Sequence, residues 1–315
     1  MPRVPARPAL LRIAPLYAAL LGLAMAQGAS AQQVPDTSFT PPIAAPDHAP
    51  GRGPVVLIDE GHANFHTMGE RYGAFARLAA RDGYVVRPHG GRFTRAGLDS
   101  ARILVIANAL DPRNREDWRA PIWPAFDSVE VAAVERWVAD GGSLLLVADH
   151  MPFGGAARGL AAAFGVQMTN GFAFDARKES NFTVRRSDGR LRTHAITDGR
   201  GAGDRVDSIT VFTGQAFGAT AKVDTLIALG PGSYLLLPEE AWDFTPGTPR
   251  EEAAGRIVAA ALRHGRGRVV MLGEAAMLTA QLAGPKAIPM GMNSPYAVDH
   301  PRFVLNILRW LAAGG

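Results

Sequence analysis

The sequence predicts an α/β fold built on a doubly wound, mostly parallel sheet. Three observations carry this. Short β-rich runs alternate with helical patterns through the first half of the chain. Two of those helical patterns open on capping-box signatures. Ser143 to Ala148 is a continuous apolar run, as expected of a strand covered on both faces.

Val55 to Asp59 is the first strand pattern. Thr67-x-x-Glu70 reads as a capping box, and the helix behind it carries Tyr72, Phe75, Leu78 and Ala79 on one face. Asp82-Gly83 ends it, and Tyr84-Val85-Val86 follows as a strand. Ile103 to Ala107 is the third strand. Asp127-x-x-Glu130 caps a second helix, with Val131, Val134, Trp137 and Val138 along its buried stripe. Gly141-Gly142 supplies its stop before the apolar strand. The second half is richer in β patterns: Val206 to Phe212, Thr225 to Leu229 and Ser233 to Leu237. Arg256 to Leu262 fits helix or strand and is assigned as a strand pairing with Arg268 to Leu272. A helix from Pro301 to Ala313 closes the chain, burying Phe303, Val304, Ile307, Leu308 and Leu311. These patterns form one domain over 54–315, with extra antiparallel strands in the second half.

Residues 1–31 read as a secretory signal peptide. Arg3, Arg7 and Arg12 precede an apolar run from Ile13 to Ala26, and Ala29-Ser30-Ala31 fits a small-x-small cleavage site. The mature chain is then periplasmic or secreted, with no membrane span. Residues 32–53, rich in Pro, Ala, Gln and Asp, read as a flexible leader. The formal net charge of +4 includes the three leading arginines, so cleavage leaves about +1 and no argument for nucleic acid. With no cysteine among 315 residues, disulfides, thiolate metal sites and a cysteine nucleophile are excluded. No G-x-G-x-x-G, Walker A or G-x-S-x-G pattern is present in a fitting context.

In doubly wound sheets, ligands bind beyond the carboxyl ends of the strands. Each of those strand ends is followed by carboxylate, imidazole or carboxamide side chains. Asp59, Glu60, His62 and His66 follow the first strand and Asn108 the third. Asp149, His150, Gly154 and Gly155 follow the fourth, and Glu274 follows the strand ending at Leu272. Asn293 and His300 precede the last helix. Asp59, Glu60, Asp149, His150 and Glu274 are the candidate acid–base groups. Asn108, Gly154, Gly155 and Asn293 are candidates to bind substrate, the two glycines through free N–H groups at a helix start. His62, His66 and His300 are candidate ligands for a divalent metal such as zinc. His48, His89, His194 and His264 are given no role.

The runs Val56-Leu57-Ile58-Asp59-Glu60-Gly61-His62, Gly141 to Asp149 and Gly267 to Glu274 resemble the class I glutamine amidotransferase-like superfamily. His194-Ala195-Ile196-Thr197-Asp198-Gly199 is also similar to an uncharacterised branch of it. The resemblance covers roughly 54 to 312 and implies a flavodoxin-like sheet with its pocket at the strand ends. In that superfamily a nucleophilic cysteine follows the strand after the Gly-Gly turn. This chain has Asp149 and His150 there, so the resemblance implies the fold without glutaminase chemistry. The expectation is a hydrolase-like enzyme, metal-assisted if the histidines converge, acting on a polar envelope or extracellular substrate. The alternative is a non-catalytic module binding a glycan or peptide, with Trp118, Trp123 and Phe153 as stacking surfaces.

Overall fold

The computed structural model describes residues 33–314, so the signal-peptide segment lies outside the described residues. A seven-stranded sheet forms the centre. Its strands are β1 (Val55–Asp59), β2 (Val85–His89), β3 (Ile103–Ala107), β4 (Ser143–Val147), β5 (Asp224–Ala228), β6 (Ile257–His264) and β7 (Gly267–Leu272). They lie in the order β5-β6-β7-β4-β3-β1-β2. The five strands β2, β1, β3, β4 and β7 are parallel. The ambiguous segment is β6, a strand antiparallel to β7, and β5 adds antiparallel at that edge.

Alternation within each strand splits the core into two layers. Val56, Ile58, Val105 and Leu145 point to one side, with α1 (Gly73–Arg81) and α4 (His300–Ala312). Leu57, Leu104, Leu144 and Met271 point to the other, with α2 (Ser128–Ala139) and α3 (Phe153–Ala163). Helices on both faces of a mostly parallel sheet make the fold doubly wound. The order β2-β1-β3-β4 is flavodoxin-like, and it reverses between β1 and β3, the position where doubly wound sheets bind ligands. Smaller antiparallel sheets are added in the second half. Phe172–Phe174, Tyr234–Leu236 and Arg250–Glu252 form one, and Asn181–Arg185 with Ser208–Phe212 another. No helix among the described residues is long and apolar enough to cross a membrane.

Two local expectations are corrected. The Asp127 capping box forms as predicted, with Asp127 accepting from Val129 and Glu130 N–H groups. The Thr67 box does not. Glu60 takes the Met68 N–H at 2.7 Å, and the Thr67 carbonyl accepts from Glu70 and Tyr72 in turns. The helix is delayed to Gly73, although its predicted stripe of Tyr72, Phe75, Leu78 and Ala79 is buried. Residues 33–53 are not a loose leader either. Gln33–Pro35 pairs with Ala280–Ala283, and Arg77 and Arg81, one turn apart on α1, donate to the Phe39 and Pro41 carbonyls. Asp82 then fixes the Asp47 N–H at 2.8 Å and the Arg309 guanidinium at 2.9 Å. The polar composition that suggested flexibility is satisfied by arginines on the body.

Candidate functional site

The carboxyl ends of β1, β3, β4 and β7 meet at one edge, as the strand order requires. They carry two separate polar centres, because each histidine finds its own local partners.

The first centre surrounds His62. Its Nδ1 lies 2.9 and 3.0 Å from the two Asp59 oxygens, and its Nε2 lies 3.0 Å from Glu130 Oε1. A ring nitrogen facing a carboxylate donates to it, so both nitrogens carry protons and the ring is an imidazolium. Burial pulls its pKa down, but Asp59 and then Glu130 outweigh that and hold it above the usual histidine value. Phe93 and Phe126 rings flank it at 4.5 and 4.9 Å. Asn64 donates to Asp59 at 2.9 Å, and the Phe65 N–H donates to the Asn108 carbonyl. This centre therefore shapes the loop that follows β1. Glu130 was legible in the sequence only as a helix cap. The same carboxylate also closes the His62 centre.

The second centre is assembled from β3, β4 and β7. Asn108 Oδ1 accepts the Asp149 N–H at 3.0 Å, and its Nδ2 donates to His66 Nδ1 at 3.1 Å. His66 Nδ1 is thus an acceptor. Burial, then the charges of Arg71 and His150, push the pKa of this imidazole down to about 3, so it is neutral. Asp149 is buried and accepts the His150 N–H at 2.8 Å; burial raises its pKa above the usual carboxylate range. Glu274 is fully buried, accepts from the Ala276 and Met277 N–H groups at 2.5 and 2.9 Å, and caps a short turn. Burial, then the neighbouring Asp149 charge, hold its pKa well above the ordinary value, so Glu274 keeps the proton of this acid pair. The Tyr72 hydroxyl, fully buried, has no partner among the described residues, and both carboxyls raise its pKa after burial.

His150 forms the outer part of this centre. Its Nδ1 donates to the Met151 carbonyl at 2.6 Å, which leaves Nε2 as the basic nitrogen, with no partner among the described residues. The ring stacks on Phe172 at 4.5 Å and 13°, and Trp242 meets it edge-on at 4.7 Å. Phe153 and Trp118 close the slot at 5.8 and 6.2 Å. Two loops hold the tryptophans together. The Ala241 N–H donates to the Trp118 carbonyl, the Ala120 N–H to the Glu239 carbonyl, and Arg119 pairs with Glu240. Trp242 is half exposed. Its φ of 71° and that of Asn108 at 50° put two non-glycine residues of this centre in the left-handed region. Sequence reasoning missed Phe172 and Trp242. Both arrive on the antiparallel additions, whose placement no local pattern encodes.

Other expectations are corrected. His300 is no free ligand: its Nδ1 donates to the Met277 carbonyl at 3.0 Å and its Nε2 accepts the Thr210 N–H at 2.9 Å. Burial pushes its pKa down to about 4. The preceding Asp299 accepts from the Asp207 and Ser208 N–H groups, which fixes the start of α4. Asn293 lies away from the strand ends and donates to Asp36 and the Gln281 carbonyl, tying down the leader. Gly154 and Gly155 do not cradle an anion, since the Thr169–Asn170 segment and Gln215 fill the space before them. Trp123 carries the Arg113 guanidinium 3.8 Å over its ring and plays no part in the slot. The donor set does not fit a resident zinc ion. His62 and His300 have both nitrogens engaged, and no group of three histidines or carboxylates among the described residues is arranged to hold a metal.

Fold and site together define a doubly wound α/β domain with a histidine–carboxylate centre under an aromatic slot. No family model and no curated protein matches the sequence. Solved structures match it at the level of the fold. The N-terminal domain of mmIFT52 has a TM-score of 0.55 at 12% identity, over 82% of this chain and 98% of that one. A ThuA-like protein from Bacteroides uniformis ATCC 8492 has a TM-score of 0.45 at 13% identity, over 87% of this chain and 95% of that one. A cytoplasmic protein from Salmonella typhimurium LT2 has a TM-score of 0.45 at 13% identity, over 82% and 98%.

Proposed function

We propose that the chain is an exported, amidotransferase-like α/β domain without the cysteine nucleophile, whose strand-end slot binds a glycan. The slot itself carries the reading. Trp118 and the half-exposed Trp242 stand beside the His150 ring, whose Nε2 has no partner among the described residues. Flat aromatic faces beside a hydrogen-bonding nitrogen suit a sugar ring, which has an apolar face and a polar rim. His62 and His300, with both ring nitrogens engaged, argue against the metal-assisted version of a hydrolase.

A panel of soluble oligosaccharides, followed by tryptophan fluorescence, tests this. A ligand is expected to change the emission, and Trp242→Ala to weaken it at least about tenfold, or about 1.4 kcal/mol. Unchanged affinity in that variant places the ligand elsewhere. Hydrolysis is the second reading, favoured by the same His150 Nε2, which is placed to take a proton from water. Turnover of a bound oligosaccharide that is lost in His150→Gln, with binding kept, would convert the binding module into an enzyme.

A further inference from the structure

The bridge at His62 joins three parts of the chain. Asp59 ends β1, His62 stands on the loop that follows, and Glu130 lies in the first turn of α2. Its two halves differ. Nδ1 faces both Asp59 oxygens, whereas Nε2 faces Glu130 Oε1 alone, at 3.0 Å. An imidazolium that loses one proton therefore keeps the one on Nδ1. Nε2 then turns a lone pair to a carboxylate, between side chains only 8% and 4% exposed, and two buried acceptors at that distance repel. Glu130 is anchored where it is. Its Oε1 also accepts the Phe93 N–H at 3.1 Å, and its Oε2 faces Arg92 at 3.5 Å and the Asp127 N–H at 3.4 Å. The loop at 60–66, which belongs to no helix or strand, is the part that gives.

That loop carries one wall of the slot. The Phe65 ring meets Trp118 at 5.5 Å and Phe153 at 5.6 Å. Two backbone bonds hold it in place, from the Leu110 N–H to the His62 carbonyl and from the Phe65 N–H to the Asn108 carbonyl. The other charged and titratable groups around the bridge are accounted for. Arg92 pairs with Asp127 as well as Glu130, and His89 stacks on Phe93 at 5.6 Å. His66, on the same loop, is neutral, since burial pushes its pKa down to about 3. Asp59 and Glu130 hold the His62 pKa above 6.5 against the effect of burial. The stabilisation from the bridge is therefore full below 6.5 and is lost as pH rises through the higher folded value.

We infer that Asp59, His62 and Glu130 form a pH-sensitive latch on the slot: loss of the Nε2 proton opens the contact to Glu130, frees the loop at 60–66 and shifts Phe65 against Trp118. The latch acts on the slot wall whatever the slot binds, so its test needs no ligand. Imidazole and indole signals are followed by nuclear magnetic resonance from pH 6 to pH 9. A His150→Gln background keeps the imidazole beside Trp118 from moving the Trp118 signal by its own titration. The expected result is a His62 midpoint above 6.5, with the Trp118 indole N–H moving at the same midpoint and Trp123 unmoved. The Phe65 and Leu110 amides should lose protection from hydrogen exchange by at least about tenfold across it, beyond the intrinsic effect of pH. Glu130→Gln, whose carboxamide can donate to a neutral Nε2, is expected to lower the midpoint and abolish the Trp118 transition. Phe65→Leu leaves the bridge intact; it should keep the His62 midpoint and blunt the Trp118 response. Three results overturn the proposal: a His62 midpoint at or below 6.5, a His62 titration with Trp118 and both amides unchanged, or a Trp118 transition of full size in either variant.

Discussion

Between pH 7 and pH 5, the wild-type chain is expected to lose about 2 kcal/mol of stability relative to a His300→Gln variant. A similar loss of about 2 kcal/mol is expected relative to His66→Gln. Both imidazoles are buried and neutral, with pKa values pushed down to about 4 for His300 and about 3 for His66. In the unfolded chain each takes a proton near the ordinary value of 6.5. As pH falls through that value the unfolded state gains protons that the folded state refuses. The penalty grows until the folded pKa is reached. Glutamine at 300 can still donate to Met277 and accept from Thr210, but it does not titrate. The comparison with a variant is needed because Asp149 and Glu274 act in the opposite direction. Their raised values mean that the folded state holds protons the unfolded state has lost, so they favour the fold as pH falls. Urea unfolding at pH 7, 6 and 5 measures the difference. Parallel stability curves for wild type and both variants would show that these histidines are not buried as described.

Gly154→Ala is expected to destabilise the fold by about 3 kcal/mol or more, or to prevent folding. A Cβ there would stand 2.0 Å from the Thr169 carbonyl oxygen and 2.3 Å from Gln215 Nε2. Neither can retreat cheaply. Gln215 Nε2 donates to the Ala148 carbonyl at 2.9 Å, and its oxygen accepts the Thr169 N–H at 2.8 Å. This carboxamide joins the end of β4, the start of α3 and the segment before Asn170, so displacing it moves the backbone that presents Asp149 and His150. Gly159→Ala in the same helix is the control. A Cβ there meets nothing within 4 Å, and the better helix propensity of alanine should stabilise by about 0.5–1 kcal/mol. Equal effects at the two positions in thermal melts would contradict the close packing at Gly154.

The sheet was legible because its strands carry local signals. Ser143 to Val147 is apolar on both faces because both are covered, and the Asp127 box marks the true start of α2. The ambiguous β6 was resolvable through its partner β7 across a glycine turn. Where local signals compete with distant groups they fail. Thr67 looked like a cap, but Glu60, eight residues before Met68, takes the N–H that a cap would need free. The leader looked loose because Arg77 and Arg81, which hold it, appear in sequence as ordinary solvated charges.

The site was half legible for the same reason. Strand ends predict an edge, and Asp59, Asn108, Asp149 and Glu274 do share it. What each side chain does there depends on partners from far along the chain. Glu130, 68 residues from His62, turns a candidate metal ligand into an imidazolium between two carboxylates. Met277 and Thr210 do the equivalent to His300 with backbone groups. Phe172 and Trp242 enclose His150 only because Phe172–Phe174 pairs with Tyr234–Leu236 and the loop after it returns over the strand ends.

The central claim is that the slot formed by Trp118, His150 and Trp242 is where this domain meets its ligand. Nuclear magnetic resonance of the indole N–H and imidazole signals, during titration with an oligosaccharide found to bind, tests it most directly. Shifts concentrated on Trp118, His150 and Trp242, with Trp123 and His300 unmoved, are the predicted result. Shifts at other residues with these three silent would contradict it.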